Sequence, residues 1–377
     1  MLTFQDALSM TSELEFPIGE TEDGSLIKAD LSKINHLFVS GISGSGKSVF
    51  IDTILLSLLT HNSPEELRLI LCDTKAVGFL PFNRLPHLYV PVCTDERKIA
   101  GALQWAHVEC LKRLRTFSDH RVKDIDSYNT SMEGTDNPLI PRIAIFVDDL
   151  SGPLSISGDA SDSIKQILSK GRIAGIHLIA ITQTPTLKPV KEIAPLFYSK
   201  IVFQHSSAAD YRFLTGAKIS PLFEGPGDAL YCSGARREKI HTIKTEREDF
   251  MSIIDPLHDI SIVCGKTEAQ VKLFMDKAGE AYPVPQSSAK DGDDDLGDYD
   301  PMLPQAVETV LEMGYCSTSS LQRRMKLAYS RAARIVDQLE ELGIVAPYEG
   351  AKPRAVIIDR LGWHDIQMHL GLNFERL

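Results

Sequence analysis

The sequence predicts an α/β fold: a doubly wound, mostly parallel sheet with helices on both faces, followed by a small C-terminal winged helix-turn-helix domain. Three observations carry this expectation. Short apolar runs alternate with helical patterns through the first 280 residues, the order that builds a parallel sheet. A glycine-rich turn, Gly41 to Ser48, joins one of those runs to an apolar helix. A Pro/Ser/Gly/Asp-rich stretch over residues 281–300 then cuts the chain before a last segment of three helical patterns and a basic hairpin.

The turn is the most informative stretch. Gly41-Ile42-Ser43-Gly44-Ser45-Gly46-Lys47-Ser48 matches G-x-x-x-x-G-K-[ST], between a strand over His36–Ser40 and a helix from Ser48 to about Leu59. Glycines let consecutive backbone N–H groups curl around phosphate oxygens, and the helix N-terminus adds its positive end. Gly41, Ser43, Gly44, Ser45, Gly46, Lys47, Ser48 and Val49 are therefore the candidate phosphate-binding set. Lys47 is placed to reach the β- and γ-phosphates, and the Ser48 hydroxyl to ligate Mg²⁺. The pattern predicts a nucleotide site for ATP.

Composition sets the outer limits. The chain has 377 residues, 43% hydrophobic and 24% charged, with a formal net charge of −11. That balance is ordinary for a globular protein and argues mildly against nucleic-acid binding, although a local basic lining can bind phosphates inside an acidic protein. No apolar run approaches the roughly eighteen residues of a membrane span, and no signal peptide opens the chain. Six scattered cysteines without a C-x-x-C pair read as buried thiols in a reducing compartment. The expectation is a cytoplasmic protein without a membrane segment.

Taken in order, residues 1–35 read as a short helix and a hairpin about Asp23-Gly24, a β-rich flap ahead of the P-loop domain, residues 36–280. Arg68–Cys72 is the next strand. It ends in Asp73-Thr74-Lys75, polar residues where open α/β sheets bind ligands. A helix over Asp95–Ser118 follows, with Ala102, Trp105, Val108, Leu111 and Leu114 on one face. Arg142–Val147 then runs into Asp148-Asp149, a Walker B strand: Asp148 holds the magnesium through water and Asp149 polarises the attacking water. A helix over residues 161–174 ends at Gly171-Arg172. The strand Gly175–Ile181 terminates in Thr182-Gln183-Thr184-Pro185, where Gln183 is the candidate γ-phosphate sensor. Lys200–Gln204 and Ala229–Tyr231 supply two more strands. Residues 281–300 are a flexible acidic linker, 301–360 the winged helix, and 361–377 a tail without an interpretable pattern. In the winged helix, Arg323, Arg324, Lys326, Arg331 and Arg334 gather on the second and third helices, with Lys352 and Arg354 on the hairpin.

These stretches together resemble the motor portion of the FtsK/SpoIIIE family of DNA translocases, over roughly residues 16–255 and 300–358. Beyond the P-loop and Walker B strand, the matching runs are Asp73-x-Lys75, Leu85-Pro86-His87-Leu88, Val92-x-Thr94-Asp95 and Arg172-x-Ala174-Gly175-Ile176-His177. They continue in Thr182-Gln183-x-Pro185 and Gly225-x-Gly227-Asp228. Leu321-Gln322-Arg323-Arg324, Ser330-Arg331-Ala332-Ala333-Arg334 and Gly350-x-Lys352-Pro353-Arg354 are similar to the family's DNA-reading γ domain. The resemblance implies a RecA-like P-loop NTPase core, assembled as a hexameric homo-oligomer that threads double-stranded DNA using ATP. It implies that Arg172 completes a neighbouring subunit's site and that Ser330 and Arg334 lie on the reading helix, with Arg334 on a guanine edge.

Four departures accompany the resemblance. Asp149 stands where the family usually has Glu, and Thr184 replaces a basic residue in T-Q-R-P. Ser330 and Asp337 replace the usual Asn and Glu of the reading helix. The family's N-terminal membrane anchor and most of its preceding α domain have no counterpart in these residues. Two other functions use the same motor motifs. One is a protein-secretion ATPase of the type VII kind, which has no use for a DNA-reading winged helix. The other is a DNA-tethered regulatory ATPase that does not translocate, to which the short Asp149 carboxylate is suited. The target sequence, the direction of travel, a recombinase partner and the choice between chromosome partition and mobile-element transfer are not legible in the residues.

Overall fold

The computed structural model describes residues 2–135, 137–156, 158–217, 223–258, 266–281, 300, 302–325, 327, 329–342, 344–346, 354–358 and 363. The chain divides into two compact units, Met1–Pro285 and Gln286–Leu377.

The larger unit is built on one nine-stranded sheet in the order β2-β1-β9-β8-β7-β3-β6-β5-β4. After a capping-box helix α1 (Phe4–Ser9), strands β1 (Glu15–Thr21) and β2 (Leu26–Asp30) form the hairpin that Asp23-Gly24 announces. Strand β1 also pairs with β9, so these first residues extend the main sheet. Strand β3 (Leu37–Ser40) leads into helix α2 (Lys47–His61), and β4 (Leu67–Asp73) follows. Helices α3 (Glu96–Asp119, N-capped by Asp95) and α4 (Ile125–Met132) precede β5 (Arg142–Asp148). Next come α5 (Ser151–Ile156), α6 (Gly158–Ala174), β6 (Ile176–Thr182), α7 (Lys188–Ile193), β7 (Ser199–Val202) and α8 (Ala208–Thr215). Strands β8 (Asp228–Ser233) and β9 (Arg236–His241) form an antiparallel pair, and helices α9 (Arg247–His258) and α10 (Lys266–Ala281) end the described part of the unit.

Strands β7, β3, β6, β5 and β4 are mutually parallel, and this half carries the glycine-rich turn. The sequence had shown no sign of β9, whose alternating charges (RREKIH) leave its solvent side polar. The parallel strands are buried on both faces, as a core sheet requires. In β5, Ala144 and Phe146 point into one apolar layer, while Ile143, Ile145 and Val147 point into the other. Helix α2 lies within the first layer and is buried around much of its circumference, which accounts for its nearly continuous apolar run.

Helix α3 corrects one expectation. Ile99, Ala102, Leu103, Ala106 and Cys110 form its inner face with Trp105, whereas Val108 is 47% exposed. Its buried Arg113 holds three elements together. Nε donates to Glu109 at 3.0 Å, and Nη1 donates to the carbonyls of Pro141 at 2.8 Å and Ala174 at 3.0 Å, just ahead of β5 and β6.

The smaller unit comprises α11 (Leu303–Met313), β10 (Tyr315–Cys316), α12 (Thr318–Met325), α13 (Tyr329–Glu341) and β11 (Arg354–Ala355). Strand β11 pairs antiparallel with β10, the pairing of a winged helix. Its core gathers Val307, Val310, Leu321, Ile335 and Leu339. Trp363 also enters this core, so the segment read as an uninterpretable tail supplies a packing residue. Asp300, read as the end of the acidic linker, is 3% exposed within this unit, and the rest of that stretch (residues 281–299) lies beyond the described residues except Ala281, which closes α10.

Arg113→Ala removes the buried donor of two carbonyls and of one Glu109 oxygen, while Lys112 still pairs with the other oxygen at 3.1 Å, so the cost is that of unsatisfied buried acceptors, about 1–3 kcal/mol. Denaturant unfolding of the full chain, followed through Trp105 fluorescence in a Trp363→Phe background, is expected to show a loss of that size. A loss below about 1 kcal/mol shows that water replaces these bonds.

Candidate functional site

The site lies at the carboxyl ends of the parallel strands, where register aligns the polar residues. Ser40 of β3 pairs with Thr182 of β6, Asp148 of β5 with Ile181, and Asp73 of β4 with Asp148. The glycine-rich turn leaves β3 at this edge and is secured by backbone bonds. Gly41 N donates to Thr182 O at 3.3 Å, Ile42 N to Gln204 O at 2.8 Å, and Gly227 N to Ser45 O at 3.0 Å. Gly46 takes φ +107°, and a Cβ there would lie 2.7 Å from the Gly227 nitrogen, so this position requires glycine for both reasons.

A cavity of about 490 Å³ opens beside the turn, within the range of small-ligand sites. Of the expected phosphate-binding set, Ser43, Gly44, Gly46, Lys47, Ser48 and Val49 line it. Gly41 and Ser45 are buried behind it, where they support the turn. The wall also brings in Asp148 and Gln183, as the sequence led us to expect.

The Lys47 ammonium donates to Ile42 O at 2.6 Å, folded onto its own turn. Burial lowers its pKa, and the Asp148 carboxylate opposes that shift. Asp148 is raised, first by burial, against the attraction of Lys75. The exposed Ser48 hydroxyl and the Asp148 carboxylate are hard oxygen donors on the same cavity, a set that fits a hydrated Mg²⁺ rather than a softer metal. Among the described residues no group of three or more His, Cys, Asp or Glu forms a dedicated metal cage.

Asp149 is placed differently from the expectation. Its φ is +71°, and its carboxylate accepts from Ser151 N at 3.1 Å and Ser151 Oγ at 2.5 Å. It caps the start of α5 and does not line the cavity. Arg172 is exposed at the end of α6, ahead of β6. Strand β6 spans roughly 20 Å, so Arg172 sits at the opposite edge of the sheet from its own turn.

Sequence reasoning passed over Asp52, Val77–Phe79 and Pro226, all of which line the cavity. The Asp73 carboxylate organises the loop carrying Val77–Phe79. It accepts from the backbone N–H of Lys75, Val77, Gly78 and Phe79. Asp52 had a readable signal, because it lies four residues after Ser48 on the same helix face. Burial pushes its pKa up to about 7.

In the smaller unit Arg323 and Arg324 are exposed on α12, and the Arg334 side chain on α13 is 61% exposed. Three of the expected DNA-contacting arginines also bond within the fold: Arg334 donates to Asp300 at 2.6 Å, and the other two are less exposed. Arg331 makes a two-pronged pair with Asp300, and Arg354 is 12% exposed, bonded to Glu340 at 2.5 Å. Ser330 lies on α13, while its side chain and Lys352 are outside the described residues.

Comparison with known proteins places these features. Residues 5–149 match the FtsK/SpoIIIE family model and residues 297–359 the FtsK gamma domain model. The DNA translocase FtsK of Caldanaerobacter subterraneus subsp. tengcongensis is 35% identical over 355 residues, 93% of this chain and 48% of that protein. The DNA translocase SpoIIIE of Bacillus subtilis is 32% identical over 357 residues, 93% of this chain and 44% of that protein. The chain thus spans about half the length of the curated relatives it matches. Two solved structures share the fold at 22% identity. The cytoplasmic domain of the Thermomonospora curvata type VII secretion ATPase EccC has a TM-score of 0.58, over 68% of this chain and 32% of that one. The pCW3 conjugation coupling protein TcpA, in its monomer form with ATPgS, has a TM-score of 0.57, over 65% and 71%.

Asp52 supplies a pH prediction. An unfolded aspartate titrates near 3.9, so the folded protein holds this proton more firmly than the unfolded chain. Stability therefore falls as pH rises from about 4 to about 7, and the full penalty persists above that. Asp52→Asn is expected to be more stable than the parent at pH 8, by on the order of 1–2 kcal/mol after solvent screening. The advantage should vanish towards pH 4 in thermal unfolding scans. A pH-independent difference would show that Asp52 titrates normally.

Proposed function

The chain belongs to the FtsK/SpoIIIE family, and on that premise we propose that it is a cytoplasmic, ATP-hydrolysing motor that moves double-stranded DNA as a homo-hexameric ring. The observation that carries the proposal is one chain holding both a phosphate-loop cavity with Lys47, Ser48, Asp148 and Gln183, and a winged helix with exposed arginines.

The chemistry follows from the side chains. On ATP binding, Lys47 exchanges the Ile42 carbonyl for β- and γ-phosphate oxygens, and its charge offsets theirs as the terminal bond lengthens. Ser48, and Asp148 through water, would hold a magnesium ion, which would supply neutralising charge on the phosphates. Gln183, at the end of β6, reports the γ-phosphate to the sheet. Asp149 orients the attacking water once it is released from Ser151, and α5 loses its cap as it does so. Arg172 acts on a neighbouring subunit's ATP, which the separation across β6 supports. Cargo identity rests on the relatives named DNA translocases, which align with more than nine-tenths of this chain, and on the gamma domain match. The likeness to a secretion ATPase extends to the fold alone.

The decisive measurement is ATP turnover by the full chain with and without duplex DNA, coupled to displacement of a triplex-forming strand. Duplex is expected to stimulate turnover, and turnover is expected to strip the triplex. A chain that hydrolyses ATP indifferently to DNA is not this motor. Lys47→Ala should lose at least about 10²-fold in turnover while remaining folded. Mixing it with Arg172→Ala protein should restore part of the activity, because mixed rings contain intact composite sites. Mixed rings that form and stay inactive rule out the in-trans arginine.

The Asp149 assignment is tested by a pair of variants. Asp149→Ala should abolish hydrolysis and keep ATP binding, whereas Ser151→Ala, which removes the hydroxyl donor and leaves the carboxylate only the backbone N–H at 3.1 Å, should keep hydrolysis or raise it. Full DNA-saturated turnover by Asp149→Ala removes Asp149 from the chemistry.

A further inference from the structure

Asp300 is a heavily committed carboxylate of the smaller unit. Its side chain is fully buried and accepts Arg331 Nε at 2.9 Å, Arg331 Nη2 at 2.8 Å and Arg334 Nη2 at 2.6 Å. It also accepts the Met302 N–H at 2.9 Å, at the start of α11, while its own N–H donates to Gln338 Oε1 at 3.1 Å. Arg331, Arg334 and Gln338 lie three and seven residues apart on α13, so they share the face that meets Asp300.

The two arginines are used differently. Arg331 gives Asp300 two donors from one edge of its guanidinium, and its side chain is 33% exposed. Arg334 gives one nitrogen, and its side chain remains 61% exposed. A guanidinium carries five N–H donors in a rigid plane, so a bond through one nitrogen leaves Arg334 further donors on a largely exposed side chain. A bare surface arginine samples many rotamers. One tied at its tip to a buried carboxylate presents its remaining edge in a fixed orientation.

We propose that Asp300 is a positioning residue for DNA sequence reading: with Arg331 as its brace, it holds the Arg334 guanidinium so that the free edge meets the two acceptors of a guanine in the major groove. The proposal rests on the reading of the winged helix as a duplex-DNA reader and deepens it, because it divides the basic residues of α13 into one that reads and one that supports. Arg331 belongs to the support. Asp300 touches no base and acts through Arg334.

The test uses the full chain and a pool of 30-bp duplexes randomised at the centre, sequenced before and after capture on the protein. The parent is expected to enrich a guanine-containing motif, and Arg334→Ala to lose the guanine preference at one position. Asp300→Asn, which still accepts the Met302 N–H, is expected to lose about tenfold of that enrichment. Total duplex affinity and its salt dependence should remain close to the parent's, whereas a merely structural role would lower affinity and preference together. Arg331→Gln leaves Asp300 and the cap in place and should lose part of the same enrichment, which keeps the proposal testable should Asp300→Asn fold poorly. Undiminished enrichment in either folded variant overturns the proposal while leaving the winged helix a reader. So does uniformly tighter binding by Asp300→Asn with its preference intact, because that makes Asp300 a competitor of DNA. A parent that enriches nothing overturns the reading of the winged helix itself.

Discussion

Three backbone hydrogen bonds from distant parts of the chain hold the phosphate loop, and the geometry of the larger unit follows from that constraint. The carbonyls of Thr182 and Gln204 accept from Gly41 and Ile42, and the Gly227 amide donates to Ser45. A loop of small residues has little packing of its own, so its shape has to be imposed from outside. The first two bonds need β6 and β7 beside β3, and the third needs β8 to begin directly behind the turn. Glycine at 46 and 227 lets the two backbones approach closely enough to make it. An insertion in β6 or at the start of β8 would therefore reach the phosphates without altering a ligand residue.

The cavity also carries opposed charges in close quarters. Lys47 and Asp148 are each held in a partly dry environment that disfavours their charged forms, and each favours the charge of the other. The ATP and magnesium proposed for this cavity would pair with both. Asp52 adds a carboxyl with a raised pKa on the helix that begins at the phosphate loop. Asp149 stands outside this set, bound to Ser151 at the start of α5. That bond ties it to α5, which precedes α6, the helix that ends in Arg172.

In the winged helix a buried acid plays the part that backbone bonds play around the phosphate loop. Asp300 joins the start of α11 to the middle of α13 and takes two of the basic residues as partners. A count of positive charges on a helix therefore overstates how many face a ligand. Arg354 makes the same point, since Asp337 and Glu340 of α13 hold it against the fold.

Local patterns determined much of this protein. The run Gly41 to Ser48 specifies a phosphate loop because φ values near +76° and +107° at Gly44 and Gly46 are open to glycine and little else. Apolar runs ending in Asp73, Asp148 and Thr182 announced parallel strands with ligands at their carboxyl ends, and the three helices and hairpin of the last segment announced a winged helix. Pairing between distant residues was not legible. Strand β9 turns back tightly on β8, Ser233 opposite Arg236, and its charged run carries no strand signal, whereas the joining of the first hairpin to the sheet, Glu20 opposite His241, and the place of Trp363 in the smaller core depend on partners far along the chain. The same holds for function. Residue type and spacing mark Asp149, Arg331 and Arg354 as candidates, but a side chain's hydrogen-bond partner is set by what folding brings within about 3 Å, and only the tertiary structure decided that these three face Ser151, Asp300 and Glu340.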